Sequence, residues 1–337
     1  MASIEAHGLT KRYGQTVAVD DLSFSVEPGV VTGFLGPNGA GKSTTMRLML
    51  DLDHGDGQTL FDGQPFSQLE RPLTRVGVVL DAKAVHPTRT ARNHLLMLAT
   101  SNGIPTARVD EVLGYVGLTD VARKRPGKFS LGMGQRLGLA AAMLGDPDVL
   151  ILDEPANGLD PQGIRWLRDF LAAFAARGRS VFVSSHLLNE MALMADSLVV
   201  VGRGRLLANG PVNTFISASG GADVIVRSPD VDALREVLRQ RGAEPTMRPD
   251  GALSVPGDDA AAVGDAAFVA GVTLHELRVH RPSLEEAFMS ATEGMEEFVA
   301  TITPPTGAPP GVGPGGAPPP VGSGGPVASA AGPGERA

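Results

Sequence analysis

The sequence predicts an α/β protein with a parallel sheet and helices on its faces. Three observations point there. Short apolar runs at Val30–Leu35, Val76–Leu80, Val149–Leu152 and Ser180–Ser184 read as buried strands. Segments with helical apolar spacing, such as Leu137–Leu144 and Ile164–Ala176, lie between them, and strands alternating with helices imply a parallel sheet. The third is Gly36-Pro37-Asn38-Gly39-Ala40-Gly41-Lys42-Ser43-Thr44, which fits G-x-x-x-x-G-K-[ST] at every fixed position. A strand precedes it and a helix start, Thr45–Leu50, follows, which is the context such a loop needs.

Bulk properties limit the function classes. A chain of 337 residues is too long for one ordinary core and suggests about two domains. A net charge of −8 argues against a nucleic-acid partner bound through its phosphates. Cysteine is absent, so there is no disulfide frame and no thiolate metal site. The first residues lack the basic and apolar regions of a signal peptide. No apolar run approaches the roughly 18 residues of a membrane span, so any work at a membrane would pass through another chain.

Taken in order, Ser3–Leu9 reads as a first strand, Thr10–Gly14 as a turn and Val17–Val26 as a second strand before the Pro28-Gly29 turn. Asp51–Gly57 is a polar loop whose aspartates lack the spacing and closing Glu of a Ca²⁺ site. Beyond Asp81 the pattern is helical as far as Gly145, with Thr90, Thr106 and Ser130 placed as N-caps. Leu198–Val201 and Leu206–Ala208 form a hairpin around Gly202–Arg205. After Gly210 a smaller α/β domain is expected: strands at Val224–Val226, Leu253–Val255 and Val272–Val279, helices at Val231–Arg241 and Asp258–Ala270, and a capping box Ser283–Glu286 opening the last helix. From Thr301 onward 20 of 37 residues are Pro or Gly, a composition that builds no core and predicts a disordered tail.

The candidate chemistry begins at the glycine loop. Glycines let successive N–H groups turn inward on a phosphate, and the following helix adds its positive end. Lys42 can reach the β- and γ-phosphates, and the Ser43 hydroxyl can ligate Mg²⁺. Asp153-Glu154 stand at the C-terminal end of an apolar strand, where open α/β sheets bind ligands. Asp153 can hold Mg²⁺ opposite Ser43, and Glu154 can polarise an attacking water. Two adjacent carboxylates are costly to bury, and a metal with a water to activate resolves that cost.

In order come the glycine loop, Ser130-Leu131-Gly132-Met133-Gly134-Gln135-Arg136, Leu150–Pro155, Gly158-Leu159-Asp160 and Ser185-His186. Together they resemble the nucleotide-binding subunit of an ABC transporter over residues 1 to about 215. Arg281–Phe288 resembles the C-terminal extension of ATPase subunits of drug- and antibiotic-exporter types. The resemblance implies a P-loop NTPase cassette of ABC type at 1–215, with a helical subdomain at about 82–145. A small α/β accessory domain at 216–298 and the Pro/Gly-rich tail at 299–337 would follow. It also implies ATP and Mg²⁺ as ligands, a second cassette and a separate transmembrane permease as partners, and a cytoplasmic place on the inner face of the membrane.

Roles follow from the same resemblance. Tyr13 would stack on adenine. Gly36, Pro37, Asn38, Gly39, Ala40, Gly41, Lys42, Ser43 and Thr44 would hold the phosphates, with Ser43 and Asp153 on the metal. Glu154 would be the general base and His186 would contact the γ-phosphate. Asp160 would sit in the loop meeting the opposite subunit, while Ser130, Gly132 and their helix start would bind ATP held by the other cassette. Two departures stand out: Phe129–Met133 replaces Leu-Ser-Gly-Gly-Gln, and Asp81 replaces a Gln after the strand Val76–Leu80. Ser130 and Gly132 remain, and Asp81 can still reach Mg²⁺ or water through oxygen. In the family the segment Ala82–Asn93 faces the membrane subunit.

The leading reading is an ATPase that powers an exporter of a drug, antibiotic or other small hydrophobic compound. An ATP-gated interaction module of the same fold, of ribosome or regulatory type, is the alternative. A plain metabolic kinase would leave Ser130–Arg136 unexplained.

Overall fold

A computed structural model describes residues 3–81, 85–86, 88–218, 220–257 and 259–293. The tail at 299–337 and Ala82–Ala84 of the expected membrane-facing segment lie outside the described residues.

Strands β1 (Ile4–Tyr13) and β2 (Thr16–Val26) form an antiparallel hairpin, followed by β3 (Val31–Leu35) and α1 (Lys42–Met49). Next come β4 (Asp56–Phe61), β5 (Gln64–Pro65), the one-turn α2 (Pro72–Arg75) and β6 (Val76–Val79). Helices α3 (Ala91–Ser101), α4 (Ala107–Tyr115) and α5 (Leu131–Ala142) occupy the segment expected to be helical. After them the chain alternates through β7 (Val149–Leu152), α6 (Pro161–Ala175), β8 (Ser180–Ser184), α7 (Leu188–Met194) and β9 (Ser197–Gly202). The cassette closes with β10 (Arg205–Pro211) and α8 (Val212–Ala218).

Six strands make the central sheet in the order β10-β9-β3-β8-β7-β6, parallel throughout except for the β9–β10 hairpin at one edge. Alternate side chains feed two cores. Leu150, Leu152, Val181 and Val183 pack toward the helices, while Ile151, Phe182, Val199 and Val201 face the other way. Burial on both faces is why these strands read as unbroken apolar runs. On the second face lies the antiparallel sheet β2-β1-β4-β5. Phe24 of β2 stacks on Phe34 and Phe182, with ring centroids 6.0 and 5.4 Å away, and fastens the two sheets together.

The remaining elements are β11 (Asp223–Arg227), α9 (Val231–Gln240), β12 (Thr246–Met247), β13 (Leu253–Pro256), α10 (Ala260–Val269), β14 (Glu276–His280) and α11 (Leu284–Thr292). Their sheet order is β12-β13-β11-β14, a β-α-β-β-α-β arrangement of split βαβ type. Val224, Val226, Leu253 and Val255 pack on Leu234 and Leu238 of α9 and on Val263, Ala266 and Ala267 of α10 as a third core. The last helix behaves differently: Leu284 and Phe288 of α11 belong to the core under the central sheet. Ser283 caps α11 in a full capping box with Glu286.

Three local expectations are corrected. Thr10–Tyr13 continue β1, because Lys11, Arg12 and Tyr13 pair with Val19, Val17 and Thr16 across the hairpin. Thr106 caps nothing: its backbone is already helical, and Arg108 N–H bonds to Pro105 O, so the turn starts before it. The strand expected from Val272 begins at Glu276, because Val272 N–H closes back on Ala267 O at the end of α10. Thr90 and Ser130 do cap their helices through their hydroxyls.

Candidate nucleotide site

The turn from β3 into α1 is tight enough to demand glycine. Gly41 has φ 94°, and a Cβ there would lie 2.3 Å from Ala18 O. A Cβ on Gly36 would lie 2.7 Å from Val201 O. Backbone from β2 and β9 therefore presses on the loop from outside. No side chain caps α1, so its first turn offers backbone N–H groups and a positive helix end to an anion.

This loop borders a cavity of about 530 Å³. Asn38, Gly39, Ala40, Gly41, Lys42, Ser43 and Thr44 line one side, joined by Ala18, and Asp153, Glu154, Asn157 and His186 line the other. Gly36 and Pro37 lie behind the loop, and their carbonyls accept hydrogen bonds from Lys42 Nζ at 2.6 and 3.3 Å. Burial lowers the Lys42 pKa from its ordinary value, and the negative charges of Glu154 and Asp153 oppose that shift.

Opposite the loop, Asp153 follows β7, and its N–H bonds to Val79 O of β6 at 2.7 Å. Ser43 Oγ donates to Asp153 Oδ2 at 2.7 Å, and Ser184 Oγ donates to Oδ1 at 2.5 Å. Next in the chain, Glu154 takes φ 50°, a left-handed conformation that only its surroundings can hold. Its N–H bonds to Ser184 Oγ at 2.9 Å, and its carbonyl accepts from Gln135 Nε2 at 3.2 Å. The carboxylate turns toward the cavity, with Oε2 2.7 Å from His186 Nδ1. A glycine-rich loop at a helix start, a hydroxyl–carboxylate pair and a carboxylate–imidazole pair thus face one space.

The ABC transporter family model matches residues 19–157, from within β2 to just past Glu154. A Nod factor export ATP-binding protein I from Burkholderia orbicola is 39% identical over 245 residues, spanning 71% of this chain and 81% of that protein. The chain belongs to the ABC transporter family. It is an ATP-binding subunit of exporter type. The bacitracin transport ATP-binding protein BcrA of Bacillus licheniformis is 42% identical over 212 residues, or 62% of this chain and 69% of that one. A solved structure of the ATP-binding subunit of an ABC transporter superposes with a TM-score of 0.57 at 26% identity, covering 71% of this chain and 93% of the other. Residues 222–285 match a domain of unknown function, DUF8746.

Other expected positions of this ABC subunit lie away from the cavity wall. Tyr13 ends β1 half-exposed, its hydroxyl donating to Asp53 Oδ2 at 3.0 Å. Asp81 follows β6 and is exposed. Ser130 and Gly132 open α5, where a Cβ on Gly132 would lie 2.8 Å from Gly158 O. Asp160 caps α6, accepting from Gly163 N–H at 2.8 Å. Helix start and Asp160 loop are therefore packed against each other. Sequence reasoning missed Ser184, Gln135, Ala18 and Asn157. Ser184 and Gln135 carry no local signal: one ends a strand and the other lies on a helix, and only the fold brings both to Glu154.

Proposed function

We propose that this subunit hydrolyses ATP to drive export of a drug, antibiotic or other small hydrophobic compound through a separate transmembrane permease. The observation that carries the reading is the single cavity on which the Lys42 loop, the Ser43–Asp153 pair and the Glu154–His186 pair converge. Names of the relatives, which specify Nod factor export and bacitracin transport, support the export direction. Nothing comparable favours the ATP-gated interaction module. Among the described residues no helix is long and apolar enough to cross a membrane, in keeping with a permease on another chain at the inner face of the membrane.

In this reading the loop N–H groups and Lys42 bind the phosphates. Ser43 Oγ and Asp153 offer hard oxygen donors that fit Mg²⁺. Among the described residues no cluster of three His, Cys, Asp or Glu could hold a metal by itself, so phosphate and water would complete the shell. Bound there, Mg²⁺ would neutralise phosphate charge. Glu154 takes the proton of the attacking water, and His186, hydrogen-bonded to Glu154, faces the γ-phosphate. Tyr13 serves the adenine and Asp81 the metal or its water, each after movement on binding. Ser130 and Gly132 meet ATP carried by a second cassette, with Asp160 in the loop between subunits. Contacts made only in the closed pair reward closure.

Glu154→Gln tests this. The variant should bind MgATP normally, lose turnover and accumulate as a nucleotide-bound dimer in size-exclusion chromatography. Normal hydrolysis would refute the role of Glu154. Co-purification from membranes with a multi-span chain supports export, whereas co-sedimentation with ribosomes supports the alternative.

A further inference from the structure

We infer that Gln135 is a positioning residue for Glu154, tying the helix that starts at Ser130 to the carboxylate of this chain's own site. The inference rests on the reading of Glu154 as the base.

Gln135 lies on α5 five residues beyond the Ser130 cap, about 7.5 Å along the axis at 1.5 Å per residue. It is only 8% exposed, although it carries a primary amide. Nε2 makes the bond to Glu154 O, while Oε1 is buried without a hydrogen-bond partner among the described residues. Packing alone would favour Leu or Met, which fill similar volume and leave no polar atom unpaired. What the amide adds is the one bond it makes.

That bond lands where the backbone most needs holding. Glu154 sits at φ 50°, and its peptide groups are fixed by Ser184 Oγ on the N–H side and by Asn157 N–H and Gln135 Nε2 on the carbonyl side. Ser184 and Asn157 lie in the β8 end and the loop after β7; only Gln135 comes from the helices above the sheet. It therefore reports α5 to Glu154. Leu131 packs within 2.6 Å of where a Cβ on Gly158 would stand, so the start of α5 and the loop after Glu154 shift together. A displacement of Ser130 is transmitted along a rigid helix to the Glu154 carbonyl and to the angle at which its carboxylate meets water.

Two variants of the full chain test this in steady-state MgATP hydrolysis. Gln135→Met removes donor and orphan acceptor together at near-constant volume; Gln135→Glu keeps the shape and puts an oxygen against the carbonyl. Both should lower kcat about tenfold or more, since small misplacements of a catalytic group are costly. KM and the affinity for a fluorescent ATP analogue should stay within about twofold, and the Gln135→Met melting midpoint should not fall. Residual single-turnover hydrolysis by Glu154→Gln should be unchanged by adding Gln135→Met, because nothing remains to position. An unchanged kcat, parallel losses of kcat and nucleotide affinity, or a full further loss in the Glu154→Gln background would overturn the inference. If Glu154→Gln alone kept normal turnover, the base assignment would fail whatever Gln135 did.

Discussion

Ser184 donates its hydroxyl to Asp153 Oδ1 at 2.5 Å from a wholly buried position at the end of β8. Ser184 Oγ itself accepts the N–H of Glu154. One hydroxyl thus orients the Asp153 carboxylate and pins the strained residue beside it. Ser184→Ala leaves that N–H and one carboxylate oxygen without their partner. Unfolding in urea should show a loss of roughly 1–3 kcal/mol, the range for an orphaned buried polar group. The Mg²⁺ concentration for half-maximal hydrolysis should rise while ATP affinity in the absence of metal holds. An unchanged Mg²⁺ requirement would show that Asp153 needs no second hydroxyl.

Lys42 gives a pH signature. Burial depresses its pKa, so in the folded protein the ammonium is disfavoured relative to the unfolded chain, where it titrates near the ordinary lysine value of 10.5. The folded state then binds fewer protons as pH rises through the depressed value, and stability rises with pH until the unfolded lysine also titrates. Below the depressed pKa the penalty is constant. Without nucleotide, the stability of the unaltered protein relative to Lys42→Met should therefore climb as pH approaches 10.5 and stay level near neutrality. Urea midpoints of the two proteins at several pH values measure this. A difference that falls with pH would mean that the Asp153 and Glu154 charges outweigh burial.

Asp160 separates a helix cap from an intersubunit contact. Its carboxylate receives Gly163 N–H at the start of α6, directly before Pro161. Asp160→Asn keeps an oxygen for that bond, and Asp160→Ala does not. Thermal unfolding should show a cost of about 0.5–2 kcal/mol for Ala and little for Asn. If the loop also meets a second cassette, both variants should weaken the ATP-bound dimer of Glu154→Gln by sedimentation. If capping is its whole role, Asn should dimerise like the unaltered residue.

Much of this arrangement was legible because its signals are local. Glycines at 36, 39 and 41 announce a backbone that turns on a phosphate, and strands buried on both faces announce themselves as apolar runs ending at Asp153 and His186. Long-range contacts were hidden. Ser184 reads as the ordinary polar end of a strand, and Gln135 only as one member of the Ser130–Arg136 stretch, until the fold brings both to Glu154. Ala18 meets the loop from β2, pressing on Gly41 from well earlier in the chain. Nor does any periodicity in α11 reveal that its apolar face leaves the small sheet for the core beneath the central one.

That destination of α11 supports a last prediction. Phe288 is 7% exposed and packs in the core shared with Leu152 and Val183, two residues in the strands that lead to Asp153 and Ser184. Phe288→Ala opens a cavity there and should cost roughly 3–5 kcal/mol, as large-to-small changes of aromatic side chains do. The loss should appear in the unfolding transition that MgATP protects, since ligand binding to the folded state raises stability by mass action. Leu238→Ala, in the separate core of the small domain, changes only the packing of α9 on its own sheet. Its effect should leave the MgATP-protected transition nearly unmoved if that domain unfolds on its own. Scanning calorimetry with and without MgATP distinguishes the two. If Phe288→Ala left the nucleotide-protected transition in place, α11 would contribute nothing to the stability of the cassette.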